Sequence, residues 1–248
     1  MLVTARVAGV MLIAPIWSMS GIPTTVRGAI AVVVSLVLLP SVPHVDVSID
    51  AASVVVPLLT EMMLGVAIGL SSAVFLSGIS VAAEVISLQM GLSLGPAIGG
   101  MSDTGSPGVG QLESQVALMV YVSLGGHIAL LGAIARSFHA VPPGAPLALS
   151  AGARSLLELG GTVFVVAVQV AAPMLVALLV TNLGLAILNR AVPQLNTMMV
   201  AVPITVSVGL ITIGAALPYT VRLMANWAMS TGPAADAMVR ALTPVVAH

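Results

Sequence analysis

Long apolar runs without a single charge constrain this chain more than any other feature. The longest extends from Gly160 to Leu188 and is interrupted only by Pro173 and by the amides Gln169 and Asn182. A helix needs about 20 mostly apolar residues to cross a membrane, and in lipid it must satisfy its own backbone polar groups. This run therefore predicts a membrane-embedded helix and excludes a chain that faces water on all sides.

The scarcity of charge extends to the whole sequence. Of its 248 residues, 6% are charged and 59% are hydrophobic, whereas a soluble domain has about 25% charged residues. The net charge of −1 provides no basic patch for nucleic acid, and the absence of Cys excludes disulfides and thiolate sites. We expect an integral membrane protein or a subunit buried in a membrane assembly.

Apolar segments separated by Pro- and Gly-rich linkers predict an all-α fold. Two linkers, 99–111 and 141–153, carry the strongest turn chemistry. Several segments are too short or too often interrupted to be simple spans, which indicates helices that pack against partner helices or line a passage. The predicted segments are Gly28–Leu39, Val54–Val81, Val85–Ile98, Val116–Ala135, Gly160–Leu188 and Thr197–Leu217.

The two ends of the sequence have their own patterns. Val7–Ile16 follows Arg6 and resembles the apolar core of a signal peptide. Pro15 and Trp17 end that run and no small-residue cleavage site follows, so we expect an uncleaved first helix. The mixed stretch 222–248 predicts an amphipathic tail rather than a span.

Residues for catalysis are dispersed rather than clustered. An aspartyl membrane protease needs paired intramembrane Asp residues, a metal site needs clustered ligands, and a phosphate loop of the GxxxxGKS type needs a Lys that this chain lacks. We therefore expect no enzyme activity, no catalytic residue, no cofactor and no metal. The dispersed residues are Asp46, Asp50, Asp103, Asp236, His44, His127, His139 and His248.

Two function classes remain open on the residues alone. Buried polar groups and broken helices are typical of secondary transporters. The candidate ligands in that class are Glu61, Glu84, Gln89, Asn182 and the cluster 190–196. Gly65 and Gly69 instead form a small-residue face with the neighbouring serines 71 and 72, which favours close helix contact in a multi-chain assembly.

Several short motifs occur in a characteristic order. The N-terminal landmarks are Arg6, Pro15, Ile22–Pro23, Arg27 and Pro40. The later motifs are LQMG at Leu88–Gly91, GGH at Gly125–His127, SFHAVPPG at Ser137–Gly144, LGLAILNR at Leu183–Arg190, PQLN at Pro193–Asn196 and Pro203 within VAVPI. Over roughly residues 5–220, this series resembles the FliR family of flagellar export-gate proteins and the similar SctT family of virulence type III secretion.

The resemblance implies a particular domain layout. A FliP-like helical region, 1–150, includes a plug-like loop at 92–111. A FliQ-like long helical hairpin, 151–221, follows, and an amphipathic tail, 222–248, completes the chain. The connection of the hairpin is the stretch RAVPQLNTMMVAVPI.

The resemblance also implies partners and a location. These are FliP-like and FliQ-like subunits in a hetero-oligomeric complex, with a FlhB-like protein at its entrance, in the bacterial inner membrane at the flagellar basal body. The implied function is type III export of unfolded flagellar subunits through a central channel. A virulence export gate is the alternative, and a secondary transporter is less favoured.

The plug-like loop supplies the channel candidates. Its glycines lower the cost of changing backbone conformation, and the apolar side chains of Ile98 and Met101 are suited to a seal that must move. The candidates are Leu92, Leu94, Ile98, Gly99, Gly100, Met101, Gly105 and Gly110.

A second set of residues is implied in assembly and hairpin geometry. Pro193 breaks a helix because it lacks an N–H, and nearby amides satisfy the backbone groups that the break frees. We expect Glu61 and Glu84 to form ion pairs between subunits and His127 to be a hydrogen-bonded helix contact. The full set of assembly candidates is Gln89, His127, Asn182, Arg190, Pro193, Gln194, Asn196 and Pro203.

Overall fold

The described part of the chain consists of α-helices and their connections. The computed structural model describes residues 1–17, 23–43, 54–91, 109–192 and 197–243, and within these ranges it contains no strand. The all-α prediction is therefore confirmed. The helices are α1 (Leu2–Ile13), α2 (Thr24–Leu38), α3 (Val55–Gln89), α4 (Val109–Ser123), α5 (Gly126–Ala140), α6 (Leu149–Ala191) and α7 (Thr197–Leu242), with a 3-10 turn at Leu39–Ser41 after α2.

Four of the described helices are long and apolar enough to cross a membrane. They are α2 with its 3-10 turn, α3, α6 and α7, and the broken pair α4–α5 would provide a fifth span. The membrane-protein prediction is confirmed on this basis. Helices α6 and α7 have 43 and 46 residues, so each has a contour length of about 65–70 Å at 1.5 Å per residue.

Several helix boundaries differ from the sequence prediction, including the starts of α4 at Val109 and α6 at Leu149, which lie inside the two predicted linkers. Helix α3 continues through Glu84, where we expected two segments, because one exposed charge does not interrupt the backbone ladder. The run 116–135 is divided instead at Gly125, whose φ of +74° a residue with a side chain rarely adopts. Helix α7 does not stop at Leu217 but continues to Leu242.

Helix α7 passes through three prolines at Pro203, Pro218 and Pro233. Each proline removes one backbone hydrogen bond, which helices in a membrane tolerate where neighbouring groups compensate. The stretch 222–242 is therefore the second half of α7. Its buried residues recur at helical spacing, as an amphipathic helix requires: Met224, Ala228, Thr231, Ala235, Met238, Val239 and Leu242.

The chain divides into two compact units. Unit 1 contains Met1–Leu76, Tyr121–Thr162 and Asn226–His248. Unit 2 contains Ser77–Val120 and Val163–Ala225. The three long helices α3, α6 and α7 each contribute one part to each unit.

The core of unit 1 depends on a close approach of α1 to α3. Gly65 faces the carbonyl oxygen of Arg6, and a Cβ built on Gly65 would lie 3.1 Å from the Cα of Gly9. A Cβ on Gly69 would lie 2.9 Å from the carbonyl oxygen of Val10. The predicted small-residue face is a close helix contact, but it meets α1 of the same chain, whereas we expected it to favour contact in a multi-chain assembly.

In unit 2, one face of α6 is buried. Val166, Val170, Met174 and Leu178 recur at a spacing of four residues, and none is more than 1% exposed. Gly78 of α3 lies against this face, since a Cβ there would be only 2.6 Å from the Cβ of Val166.

Candidate functional site

A buried ion pair lies at the centre of unit 1. The Nε of Arg6 donates to Oε2 of Glu61 at 2.6 Å, and Nη2 donates to Oε1 at 3.0 Å. The Arg6 side chain is fully buried and that of Glu61 is 3% exposed. A fork of two parallel hydrogen bonds is the strongest geometry available to Arg and a carboxylate, so this pair fixes α1 on α3.

The SFHAVPPG motif supplies the remaining partners of the ion pair. Arg6 donates from Nη1 to Ser137 Oγ at 3.1 Å and from Nη2 to the Val141 carbonyl at 2.9 Å. Its Cζ lies 4.2 Å from the centre of the Phe138 ring, at a distance typical of a cation–π contact. The backbone N–H of Gly144 donates to Glu61 Oε1 at 3.0 Å.

This network explains how two charges are buried in so apolar a chain. Removing both ions from water is costly unless additional hydrogen bonds satisfy them, and here α5 and the connection after it supply those bonds. Gly144 has a φ of +82°, which places its N–H on Glu61 in a conformation that favours glycine. The SFHAVPPG motif therefore holds the ion pair in place through hydrogen bonds to both of its residues.

The partner of Glu61 differs from our expectation of an ion pair between subunits. Both of its oxygens bond within this chain, and the residue is only 2% exposed. Its ion pair is intramolecular because Arg6 reaches it across the glycine contact of α1 with α3. Glu84 is exposed on α3, and its pairing with another subunit stays a prediction.

The LQMG motif ends α3 against α7 in unit 2. Met90 is fully buried, and its carbonyl oxygen lies 3.2 Å from Thr205 Oγ1. Gly209, one turn further along α7, leaves room for the Met90 side chain, since a Cβ there would lie 2.6 Å from Met90 Cε. Gln89, the assembly candidate of this motif, is exposed.

Most channel candidates lie outside the described residues. Gly110 falls in the first turn of α4. Further along α4, Ser114 Oγ lies 3.3 Å from Ser80 Oγ of α3. The candidates outside the described ranges are Leu92, Leu94, Ile98, Gly99, Gly100, Met101 and Gly105.

The GGH motif forms the break between α4 and α5. The Tyr121 hydroxyl donates to the Gly126 carbonyl at 2.9 Å, and its ring occupies the space where a Gly126 side chain would lie. His127 was expected to be a hydrogen-bonded contact. Within the part of the chain that the structure describes, its buried Nδ1 has no hydrogen-bond partner.

The hairpin candidates are exposed or lie outside the description. Helix α6 ends at Ala191 and α7 begins at Thr197, so Pro193, Gln194 and Asn196 fall between the described ranges. Asn182, Arg190 and Pro203 are exposed, which leaves them accessible to other chains.

Sequence reasoning did not identify Thr205 and Gly209. The sequence feature that could have identified them is their spacing of four residues, which places two small side chains on one face of α7. Ser137, Phe138 and Val141 were noted as a motif, but the pattern did not indicate that they hold Arg6, which lies more than 130 positions earlier.

The helices differ greatly in how much of their surface the chain itself covers. In the apolar window of α3, 61% of residues are buried, against 33% in α6, 17% in α7 and 11% in α2. The exposed side chains on α6 and α7 are predominantly aliphatic, and they require lipid or other protein to cover them. Examples are Val168, Leu179, Leu183, Ile187, Leu210 and Ile211.

The sequence matches proteins of bacterial export systems. A sequence profile of "Bacterial export proteins, family 1" matches residues 1–230. The Flagellar biosynthetic protein FliR of Pectobacterium carotovorum subsp. carotovorum is 31% identical over 213 residues, which cover 86% of this chain and 82% of that protein. The proteins of the same name from Escherichia coli (strain K12) and Aquifex aeolicus (strain VF5) are 28% and 27% identical, and the matches cover 86% and 89% of this chain and 82% and 86% of those proteins.

Proposed function

Because this chain belongs to family 1 of the bacterial export proteins, we propose that it is a subunit of the flagellar export gate. The observation that carries this proposal is its 31% identity to a flagellar biosynthetic protein FliR over 82% of that protein's length. The relatives bear a flagellar name, which favours flagellar over virulence cargo. The subunit forms part of a passage and catalyses no reaction.

The exposed apolar surface supports a role in an assembly. Helices α6 and α7 are each about 65–70 Å in contour, roughly twice the ~30 Å hydrocarbon thickness of a bilayer. Their exposed side chains nevertheless remain aliphatic over most of that length. A bilayer alone leaves part of this surface in water, whereas helices of neighbouring subunits cover it.

We assign the covering helices to FliP-like and FliQ-like subunits, as the family resemblance implies. Residues 151–221 form the FliQ-like hairpin of this arrangement, and 1–150 form the FliP-like region. A FlhB-like protein binds at the entrance, and the complex is located in the bacterial inner membrane at the flagellar basal body. Exposed Glu84 and Asn182 then provide polar contacts to neighbouring chains.

The loop 92–111 closes the channel in this proposal. Deletion of residues 99–110 is expected to leave the complex assembled and to make membrane vesicles permeable to small ions. The check is the ion conductance of vesicles that contain the purified complex. Conductance equal to that of the unmodified complex would remove the plug role while leaving the subunit role intact.

Co-purification tests the subunit role. The chain, expressed with its FliP-like and FliQ-like neighbours, is expected to be extracted from membranes in one stable complex. A matched preparation that omits the FliQ-like chain controls for non-specific association. Recovery of a monodisperse monomer that binds a small solute would instead support a secondary transporter.

A further inference from the structure

A cleft between the start of α6 and the end of α7 carries a carboxylate on one wall. We call it the α6–α7 cleft, and its volume is about 270 Å³. Its polar wall consists of Ser155, Glu158 and Thr162, which recur at helical spacing and therefore share one face of α6. Every residue that lines the cleft belongs to unit 1.

The rest of the cleft is apolar. Ala234, Ala237 and Met238 of α7 form the opposite wall, and Leu159 of α6 lies beside the polar residues. Met238 is only 2% exposed, so the base of the cleft is part of the core. At about 30 Å³ for each water molecule, the space is large enough for a long side chain from another protein.

The Glu158 carboxylate has no countercharge within the part of the chain that the structure describes. Arg154 lies one turn earlier on α6, a spacing that permits an ion pair, yet neither residue forms one with any described residue. The Thr162 hydroxyl donates to the backbone carbonyl of Glu158 at 3.0 Å and not to its side chain. The carboxylate is exposed at the rim of the cleft.

The surroundings of Glu158 restrict what can cover it. Glu158 belongs to the apolar span Ser150–Ala191, and the nearby side chains of Leu157 and Phe164 are 79% and 70% exposed. Such a surface requires lipid or other protein to cover it. Acyl chains supply no countercharge, and ionisable side chains in membrane helices are almost always paired with another polar group.

A long cationic side chain satisfies both parts of the cleft. The methylene stem of an Arg or Lys packs against apolar surface while its charged head remains at a polar position. In the α6–α7 cleft, the stem would lie along Ala234 and Ala237, and the head would reach the Glu158 carboxylate. A shorter histidine side chain has no such stem.

We propose that the α6–α7 cleft is the docking site for an Arg or Lys side chain of a neighbouring export-gate subunit, with Glu158 as its countercharge. This inference rests on the proposed function. It adds to that function the position of one contact between subunits and the chemistry of the residue that makes it.

The first test removes the charge. Glu158→Gln keeps the size of the side chain, and Arg154→Gln is the matched control on the same face of α6. Each variant is expressed with its FliP-like and FliQ-like neighbours and extracted from membranes. For Glu158→Gln we expect roughly a tenfold decrease in the fraction of the chain that stays in the complex, because the cation of the neighbour loses its partner.

The Arg154 variant separates two roles of Glu158. Recovery of the Arg154→Gln complex should equal that of the unmodified complex. Equal losses for Arg154→Gln and Glu158→Gln would mean that the two residues serve each other on α6, and the docking proposal would be wrong.

The second test fills the cleft without changing its charge. Ala237→Leu occupies the space for the stem and is expected to lower recovery of the complex. Ala237→Ser is the control at the same position, because it leaves the space open. Unchanged recovery of both variants would exclude an inserted side chain.

The third test identifies the residue that docks. A photoreactive diazirine amino acid at position 237 is expected to cross-link to a neighbouring subunit within one helical turn of an Arg or Lys. Glu158→Arg should lower recovery, as should changing the identified residue to Glu, and the two changes together should restore it. Cross-links to lipid alone, or to a second copy of this chain, would overturn the proposal.

The same preparations distinguish this inference from the proposed function. If the unmodified chain does not co-purify with its neighbours, the export-gate role itself fails. If the unmodified chain co-purifies and Glu158→Gln and Ala237→Leu are recovered equally well, only the docking role of the cleft fails.

Discussion

Arg6 and Glu61 form a two-pronged ion pair, with contacts of 2.6 and 3.0 Å, in which neither side chain is exposed by more than 3%. The pair joins the first helix to the third across 55 positions of sequence. Its burial places two charges within a largely apolar core.

We predict that Arg6→Met destabilises the protein by about 3–5 kcal/mol, because it leaves Glu61 buried without its countercharge. The double variant Arg6→Met with Glu61→Met should be less destabilised than Arg6→Met alone, since no unpaired charge remains. Thermal unfolding of the detergent-solubilised complex measures both effects. Additive losses would mean that the two residues act independently.

The exposed pair Arg136–Asp236 provides a control for that experiment. Its closest contact is 2.9 Å, but the side chains are 55% and 28% exposed. Solvent screens such pairs, so Asp236→Asn is expected to cost less than about 1 kcal/mol. The stability difference between Asp236→Asn and the unmodified protein should become smaller still at high salt. Thermal unfolding at two salt concentrations measures this change.

Gly65→Ala should weaken the contact of α1 with α3. The added methyl group meets the Arg6 carbonyl, and overpacking of this kind costs about 1–3 kcal/mol. Gly28→Ala is the matched control, because a Cβ there meets no atom of the described residues within 4 Å. Equal thermal stability of the two variants would exclude a tight fit at Gly65.

Pro173 lies inside α6 and costs that helix one backbone hydrogen bond. It lacks the N–H that would bond to the Gln169 carbonyl, and the Tyr219 hydroxyl lies 3.5 Å from that oxygen, too far for a strong bond. Pro173→Ala should therefore stabilise α6 by up to about 3 kcal/mol. Tyr219→Phe should change the unfolding temperature little, and a large loss would show that its hydroxyl replaces the missing bond.

The connection of α6 to α7 is predicted to determine assembly. Pro193→Ala with Asn196→Ala removes from this connection a residue that lacks an N–H and a side-chain amide, so we expect less complex to be recovered on co-purification. Alanine at Met199, an exposed residue of α7, serves as the control. Normal assembly combined with loss of flagellar export would place this connection in the gating machinery instead.

Hydrophobic pattern predicted the class of fold and several contacts. The uncharged run 160–188 lies within α6, and Gly65 and Gly69 lie in a close helix contact. Such features are local, because a charge-free span and a small-residue face can be seen in one helix. Helix ends were less predictable: Glu84 looked like an interruption, yet a single exposed charge costs a long helix little.

Contacts between distant segments were not accessible from the sequence. Helical periodicity indicates which residues share a face but not which other helix that face meets. Arg6 and Glu61 were both noted, yet nothing near either residue indicated the other, and Ser137 lies 131 positions from Arg6. Gly209 looked like one of many glycines until the Met90 side chain was seen against it.

The division of α3, α6 and α7 between two units has a consequence for biosynthesis. Unit 1 needs Met1–Leu76, Tyr121–Thr162 and the segment that begins at Asn226, so its three parts are separated along the nascent chain by the residues of unit 2. The ribosome releases the partners of Arg6 well before Met238 and Leu242, which complete the same core. The N-terminal helices must therefore remain in the membrane with an unfinished core until residues 226–242 have been synthesised, and a chain that stops before those residues cannot complete it.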